Sequence, residues 1–452
     1  MEVRSIMLII KQKDKIVKIL AFLFILSLFF PVRHIFFSKE AYLIGQYSDF
    51  TSFSLYLSDI LLIGLFILLL MSRGKALYHV VRPFRWLVLV LLFSFLINLA
   101  NFKLGAYLSL KLIELIVAYG TLRLVFEENS LKTGFLKLFA WLCGLESVIG
   151  LLQFSKQSPI GFFKLGEQHI GPSILGVAKI VSDGTNYIRA YGTFPHPNPM
   201  SAFLVVGVLV TCYLLLNSNT LKTRICYSLL LFLNILGLTI TFSRGAYLAL
   251  GIGLKVYLGL LLWRRYKTKF KGSLASLWMT IGVIVASIVI SFVLFKPFLL
   301  TRATFSDQST IARKFYDVVG LKMIQKNPLL GVGIGESILN MEKYSGQSLQ
   351  PWDKQPPHNY FIIAGAELGI PAMLIVLWIF LSHLWELFKK IKFENHFQLT
   401  TSHLLLISIL CAFLVLMQFD HYFYTLEQTR LLLWVVLALI ASEALPTIDK
   451  TQ

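Results

Sequence analysis

Charge is scarce in this chain, and acidic charge is scarcest: Asp and Glu number 23 against 42 Lys and Arg, and all four types together make up 14% of 452 residues. Cysteine is rarer still. The four present, Cys143, Cys212, Cys226 and Cys411, all fall within apolar runs and none belongs to a CxxC pair, so they read as packing residues with no zinc or disulfide signal. No fixed-period repeat or heptad tract appears, which argues against a solenoid. The glycine-rich stretch LLGVGIGES, residues 329–337, lacks the Gly-Lys-Ser/Thr ending of a phosphate-binding loop and reads as a backbone turn. No acidic DxD-like pair stands out, which argues against metal dependence. The first apolar run, Ile16 to Phe30, follows KQKDK as a signal peptide would, but it has no AxA-like cleavage site and is expected to stay as an anchor helix.

What is abundant is apolar. The composition is 56% hydrophobic with a mean hydropathy of +0.72, and runs of about 18 residues with hardly a charge recur, the length that crosses the hydrocarbon of a bilayer. The expected fold class is therefore an all-α polytopic membrane protein forming one integral membrane domain over residues 1–452. About twelve spans are expected, near 16–31, 54–71, 86–100, 105–125, 134–154, 198–216, 225–242, 245–263, 274–296, 358–384, 401–419 and 429–444. In such a protein the basic excess points to cytoplasmic loops, lipid headgroups or an anionic lipid-linked substrate; nucleic acid is not an expected partner. The short connections KQKDKIVK, SRGKALYHVVRPFR, WRRYKTKFKG and FKKIK are basic, whereas NFKLG, TFSRG and FDHYFYTLEQ on the other side are less so. The positive-inside rule then puts both termini in the cytoplasm and two long connections, 155–197 and 297–357, outside. The second is expected to hold an amphipathic helix near 308–326, with Ile311, Phe315, Val318, Val319 and Met323 as its apolar stripe and an Arg313–Asp317 pair on its polar face.

Four motifs share the external side. RAYGTFPHPNPMSAFL (189–204) sets Arg189 and His196 before an apolar helix, with Asn198 as the expected cap and Pro199 at its first position. TFSRGAYLAL (241–250) places Arg244 in a tight corner, where snorkelling to the interface is the plain alternative to a functional role. Arg313 lies in the second long connection. PPHNYFIIAGAELG (356–369) opens a span with His358 and Asn359; at helical spacing Ile362, Gly365 and Gly369 share the face of His358, and Glu367 lies opposite. Pro371 leaves the Glu367 carbonyl without its amide partner, which predicts a kink beside an intramembrane carboxylate. Asp420 and His421 also fall on this side.

This ordered set, Arg189-Ala-Tyr-Gly-Thr-Phe-Pro-His-Pro-Asn198, then Thr-Phe-Ser-Arg244-Gly, then Arg313 and Asn-Pro-Leu-Leu-Gly-Val-Gly-Ile-Gly335, then Pro-His358-Asn-Tyr with Glu367-Leu-Gly, resembles the O-antigen ligase and polymerase superfamily of bacterial glycan transferases. The likeness covers about residues 185–375. It implies transfer of a glycan from an undecaprenyl diphosphate carrier to a glycan, lipid or protein hydroxyl outside the cytoplasmic (inner) membrane, with no metal and no cofactor. By that resemblance Arg189, Arg313 and His358 are the expected catalytic residues. Arg244, His196, Asn198, Asn359 and Glu367 are expected at the substrate, although Pro195-His196 departs from the commoner small-residue variants at that corner. The chemistry fits: guanidinium groups grip a diphosphate leaving group, and a histidine kept neutral by nearby cations accepts the acceptor's proton. A flippase of lipid-linked saccharides is the alternative class.

Overall fold

The computed structural model describes residues 2–97, 101–268, 274–302, 308–392 and 400–444. Helix α1 (Glu2–Phe29) leads into two small antiparallel pairs, β1 (Arg33–Phe36) with β4 (Phe53–Tyr56) and β2 (Tyr42–Leu43) with β3 (Gln46–Tyr47). The chain continues through α2 (Leu57–Val81), α3 (Arg85–Ile97), α4 (Phe102–Val125) and α5 (Asn129–Lys156), then a hairpin of β5 (Lys179–Ser182) and β6 (Thr185–Ile188). Next come α6 (Pro197–Leu216), α7 (Leu221–Ile240), α8 (Arg244–Thr268), α9 (Leu274–Arg302) and α10 (Gln308–Lys326). Two short helices, α11 (Glu336–Leu339) and α12 (Met341–Ser345), precede α13 (Tyr360–Lys392), α14 (Thr401–Leu416), the single turn α15 (Tyr422–Thr425) and α16 (Glu427–Ala444).

Every one of the twelve apolar runs coincides with a helix. Seven helical segments among the described residues are long and apolar enough to cross a membrane, with α2 and α3 forming one continuous segment in that count. The bundle is therefore an all-α membrane architecture carrying three small strand pairs. Several expected boundaries move. Helix α1 begins at Glu2, so KQKDK lies within it; residues 98–100, expected to end a span, fall outside the described ones. Helix α9 passes residue 297 and ends at Arg302, which shortens the second long connection. A third ordered connection, residues 30–56, was not foreseen, because its strands are only two to four residues long and carry no long alternating pattern.

Helix α6 is the axis of the bundle, with 89% of its apolar window buried. Its first turn is consequently held to a fixed position by packing on all sides, a point that matters for Asn198. The aromatic cluster of Phe29, Phe139, Phe194 and Phe203 packs around that end, with ring centroids 4.9 Å apart for Phe29 and Phe203 and 5.7 Å for Phe139 and Phe203. A buried ion cluster ties three other helices. The Lys111 ammonium of α4 lies 2.5 Å from Asp59 of α2, 2.9 Å from Glu114 of its own helix and 3.3 Å from Glu427 of α16, and Glu427 also takes the guanidinium of Arg430.

Helix α13 is broken where the proline predicts. Gly369 sits at φ +85°, and the carbonyl that Pro371 cannot serve is met from outside the helix. The Glu367 carbonyl accepts the Gly333 N–H at 3.0 Å and the Ser94 hydroxyl at 3.4 Å, the Ala366 carbonyl accepts the Val332 N–H at 2.8 Å, and the Ile370 N–H donates to the Pro328 carbonyl at 2.8 Å. The GVGIG stretch is thus a short clamp of turns laid on the break, with Gly331, Gly333 and Gly335 all at positive φ. A side chain on Gly369 would run into the Leu329 carbonyl, and one on Gly331 into the Glu367 carbonyl. Gly369→Ala is expected to lower stability by roughly 1–3 kcal/mol, combining a left-handed backbone with a backbone collision. Gly251→Ala, on an exposed helical face with nothing within 4 Å, is expected to be neutral or to stabilise by up to about 1 kcal/mol. Thermal melts of the two variants in detergent check both signs.

Candidate active site

The ends of β6, α6, α8 and α9, the first turns of α10 and the turn between α14 and α15 meet around one crevice lined by Arg189, Asn198, Arg244, Arg302, Arg313 and Asp420. Arg189, just after β6, is buried; its Nε donates to the Thr241 carbonyl at 2.6 Å and its Nη2 to the Asn198 side-chain oxygen at 2.8 Å. Arg244, at the start of α8, reaches the Thr310 hydroxyl of α10 at 3.1 Å. Arg302, at the end of α9, donates to the Phe242 carbonyl at 3.4 Å. Among the described residues, four guanidinium groups and the Asp420 carboxylate line this crevice. Burial and then the neighbouring Arg302 lower the pKa of Arg189 to about 9, which still leaves it charged at neutral pH.

Asp420, between α14 and α15, is the hub. It accepts the Asn198 amide at 2.6 Å and the His421 backbone N–H at 2.9 Å, and Arg313 stands 3.6 Å away. Burial alone would raise its carboxyl, but His421 and Arg313 hold it well below the ordinary carboxylate range. The His421 ring lies edge-on to His358 with centroids 4.8 Å apart, and its Nδ1 is 2.8 Å from the Thr425 hydroxyl.

His358 precedes α13 and is not part of it, so it belongs to no helical face; the expected seam with Gly365 lies below it. Asn359 caps the helix, its side-chain oxygen accepting the N–H groups of Phe361 at 2.9 Å and Ile362 at 3.2 Å. The His358 ring stacks on Tyr316 at 5.4 Å, and the Asp317 carboxylate accepts its backbone N–H. Its Nδ1 lies 3.1 Å from the Pro356 carbonyl, which can only accept, so Nδ1 carries the proton and Nε2 keeps its lone pair. Burial, and then Arg313 against the opposing pull of Asp420, lower its pKa below the usual histidine range.

The expected residues separate into two groups. Arg189, Asn198, Arg244, Arg313 and His358 converge around Asp420. His196, Asn359 and Glu367 are engaged elsewhere. His196 is the N-cap of α6, accepting the Asn198 N–H at 3.1 Å with Pro197 at the first helical position, so the cap lies two residues earlier than expected and Asn198 is free to bridge Arg189 and Asp420. The Asn359 amide turns to the Gln418 side chain at 3.0 Å. Glu367 is buried and takes the Gly335 N–H, the Ser337 hydroxyl and the Tyr424 hydroxyl at 2.6–2.9 Å. The apolar stripe of α10 also turns: Tyr316, Val319 and Met323 are buried, whereas Ile311 and Val318 are exposed, and Arg313 pairs with Asp420 in place of Asp317.

Sequence reasoning grouped Asp420 and His421 with the arginines, as the structure does, but gave them no role, and it missed Arg302 altogether. A lone arginine ending an apolar run looks like any interfacial anchor. One nitrogen of His358, one of His421 and an Asp420 oxygen lie within 4.8 Å of one another, a donor set that suits a divalent cation, although Arg313 competes for the carboxylate.

Burial, followed by Arg189, depresses His196 to about 3, and burial, followed by His358, does the same to His421. An unfolded histidine titrates near 6.5, so the unfolded chain gains protons that the folded one refuses. The melting temperature is expected to be flat from pH 8 to 7 and to fall from about pH 6.5 downward, while Asp420 adds its own loss only below about pH 4. His196→Asn, which keeps a capping side chain, should make the acid slope shallower in the same melts.

No curated protein matches the chain. Residues 229–377, which contain Arg244, Arg302, Arg313, the glycine clamp and His358, match the family described as O-Antigen ligase. That match spans the arginines of α8 to α10 and the histidine before α13, and it supports the likeness to the O-antigen ligase superfamily.

Proposed function

We propose that the protein transfers a glycan from an undecaprenyl diphosphate carrier to an acceptor hydroxyl at the external face of the cytoplasmic membrane. The observation that carries this is the crevice lined by four arginines and Asp420 with a neutral histidine beside it, three of those arginines and the histidine lying in the stretch that matches the O-Antigen ligase family. Both termini then lie in the cytoplasm, all twelve apolar helices cross the bilayer, and the connection 155–197 stands outside with α10 and the stretch that follows it to His358.

The guanidinium groups complement a doubly charged diphosphate diester, and their forks match its oxygens. Helices α8 and α9, which bring Arg244 and Arg302 to the crevice, are poorly covered: only 28% of each apolar window is buried. An isoprenoid lying along them in the lipid would deliver its diphosphate to those arginines. His358 Nε2 takes the proton of the acceptor hydroxyl as the oxygen attacks the anomeric carbon. The bond from that carbon to the diphosphate oxygen breaks, its electron pair leaves with the diphosphate, and Arg189, Arg244, Arg302 and Arg313 stabilise the charge that develops there. Attack from the face opposite the leaving group inverts the anomeric centre. Asn198 and Asp420 hold the outer two arginines in place, and no step calls for a metal.

His358→Ala is expected to reduce transfer in membranes by at least about 10²-fold while protein abundance is unchanged, in line with loss of a general base. Normal transfer by that variant would overturn the assignment. The product separates the two branches of the superfamily: one glycan block on a new acceptor marks a ligase, a ladder of carrier-linked lengths marks a polymerase, and no covalent product at all marks a flippase. Added chelator should leave the rate unchanged. Because its pKa is lowered, His358 remains the free base at neutral pH; the rate should be flat from pH 8 to about 6.5 and fall only in more acid solution. Arg313→Gln should move that inflection upward as well as weaken donor binding, because it removes a cation that disfavours imidazolium.

A further inference from the structure

At the end of the bundle remote from the arginine crevice lies a cavity of about 700 Å³ between α3 and α13. Its walls come from the last turns of α2, α4 and α16, the first turns of α3 and the later half of α13. Along α13 the lining starts at Ile375, beyond the break at Gly369, whereas His358 stands before the helix begins. Trp86, Leu89, Phe93 and Trp378 line the cavity and are also exposed, so it opens sideways, toward the hydrocarbon that would surround the apolar helices.

The interior suits a hydrocarbon chain. On the inner wall the His383 Nδ1 lies 2.7 Å from the Ile379 carbonyl and so carries the proton, which leaves Nε2 to accept the Tyr119 hydroxyl at 3.0 Å. The Ser382 hydroxyl donates to the same Ile379 carbonyl at 2.9 Å. These polar groups satisfy one another, and most of the remaining lining is aliphatic or aromatic. The volume falls in the range of sites that enclose a ligand.

The rim suits an anion. Arg82 and Arg85, on either side of the lining residues Pro83 and Phe84, are exposed, and neither meets a carboxylate among the described residues. The Arg85 guanidinium stands over the Trp86 ring at 5.3 Å, which keeps it at the mouth. Arg123 lines the cavity itself, and Glu386, the one carboxylate in the described lining, is paired with Lys389 at 2.8 Å. A tryptophan at the mouth of an apolar groove, with arginines beside it, takes a lipid chain and its phosphate together.

We propose that this cavity binds an anionic glycerophospholipid of the cytoplasmic leaflet, with an acyl chain between α3 and α13 and the phosphate at Arg82 and Arg85. The site is independent of the transfer chemistry; only the leaflet rests on the reading that puts the arginine crevice outside. Helix α3 is then held at both ends, because its Ser94 hydroxyl reaches the Leu330 carbonyl beside the glycine clamp at 3.2 Å. Bound lipid therefore stabilises the fold by mass action.

The test titrates the full chain in detergent with phosphatidylglycerol brominated in its acyl chains, because bromine quenches a tryptophan that it touches. Saturable quenching and a raised melting temperature are expected, with the quenching reduced in the double variant Trp86→Phe/Trp378→Phe. Arg82→Gln and Arg85→Gln should each weaken the affinity for this lipid about fivefold and leave the weaker quenching by brominated phosphatidylcholine unchanged. Without added lipid, both variants should melt with the unmodified protein. Equal affinity for the two lipids, or unchanged phosphatidylglycerol affinity in both arginine variants, would mark a nonspecific apolar groove and overturn the proposal. Displacement of the probe by less undecaprenyl phosphate than phosphatidylglycerol would overturn it in favour of an isoprenoid, and absence of quenching in the unmodified protein in favour of a second copy or another segment of this chain. In right-side-out membrane vesicles Arg82→Cys should resist a membrane-impermeant maleimide; labelling there would overturn the leaflet and the orientation together, while the quenching result stands on its own.

Discussion

A single buried carboxylate, Asp420, makes the arginine crevice possible. Guanidinium groups brought together from β6, α8, α9 and α10 repel one another, and at low dielectric that repulsion is not screened away. Asp420 relieves part of it by facing Arg313 directly and Arg189 through Asn198. The same group acts on the imidazoles in the opposite sense, drawing protons toward His358 and His421 while burial and Arg313 push them off. Burial prevails, and the histidine is left as a base.

Positions that matter here are fixed from beneath. Asn198 sits in the first turn of α6, the most enclosed apolar helix, so its amide bridges Arg189 and Asp420 from a point that cannot drift. On the other flank, the break in α13 holds the glycine clamp against Ala366 and Glu367, and Gly320 of α10 packs on Pro357 and Ile362 with no room for a side chain. Helix α10 therefore sets both Arg313, on its own surface, and the backbone of His358, through Asp317. Burial, against the partial relief of the His358 N–H and Arg313, lifts Asp317 to about 6, the behaviour of a carboxyl held for geometry in a half-dry place.

Much of this was legible in sequence because membrane helices announce themselves. Long apolar runs located the twelve long apolar helices, Pro371 located the break, and the order of Arg189, Arg244, Arg313 and His358 pointed to the family whose model matches residues 229–377. What the sequence hid follows from how side chains are recruited. His196 and Asn198 stand two residues apart and both could cap α6; only the actual entry of the chain, with Pro197 first in the helix, decides which is left for the site. The face of α10 shifted because aromatic Tyr316 outcompeted Val318 for burial against Met341 and Ala366, a choice made by the partner surface and invisible in the helix alone. Arg302 carried no motif, and strands of two to four residues in 33–56 fall below any periodicity that a sequence displays.

The clearest case is Glu367. As a rare carboxylate in an apolar run it is a functional candidate by default. Its side chain instead closes three hydrogen bonds, to the Gly335 N–H, Ser337 and Tyr424, and its own carbonyl receives Gly333. Both ends of one residue thus join the glycine clamp, the broken helix and the turn after Asp420. A carboxylate serves this purpose better than an amide would, since it accepts from three donors and presents none of its own. The turn it anchors, α15, is the one that follows His421 and ends at Thr425, whose hydroxyl meets the His421 ring, and so Glu367 fixes the surroundings of that imidazole without touching it.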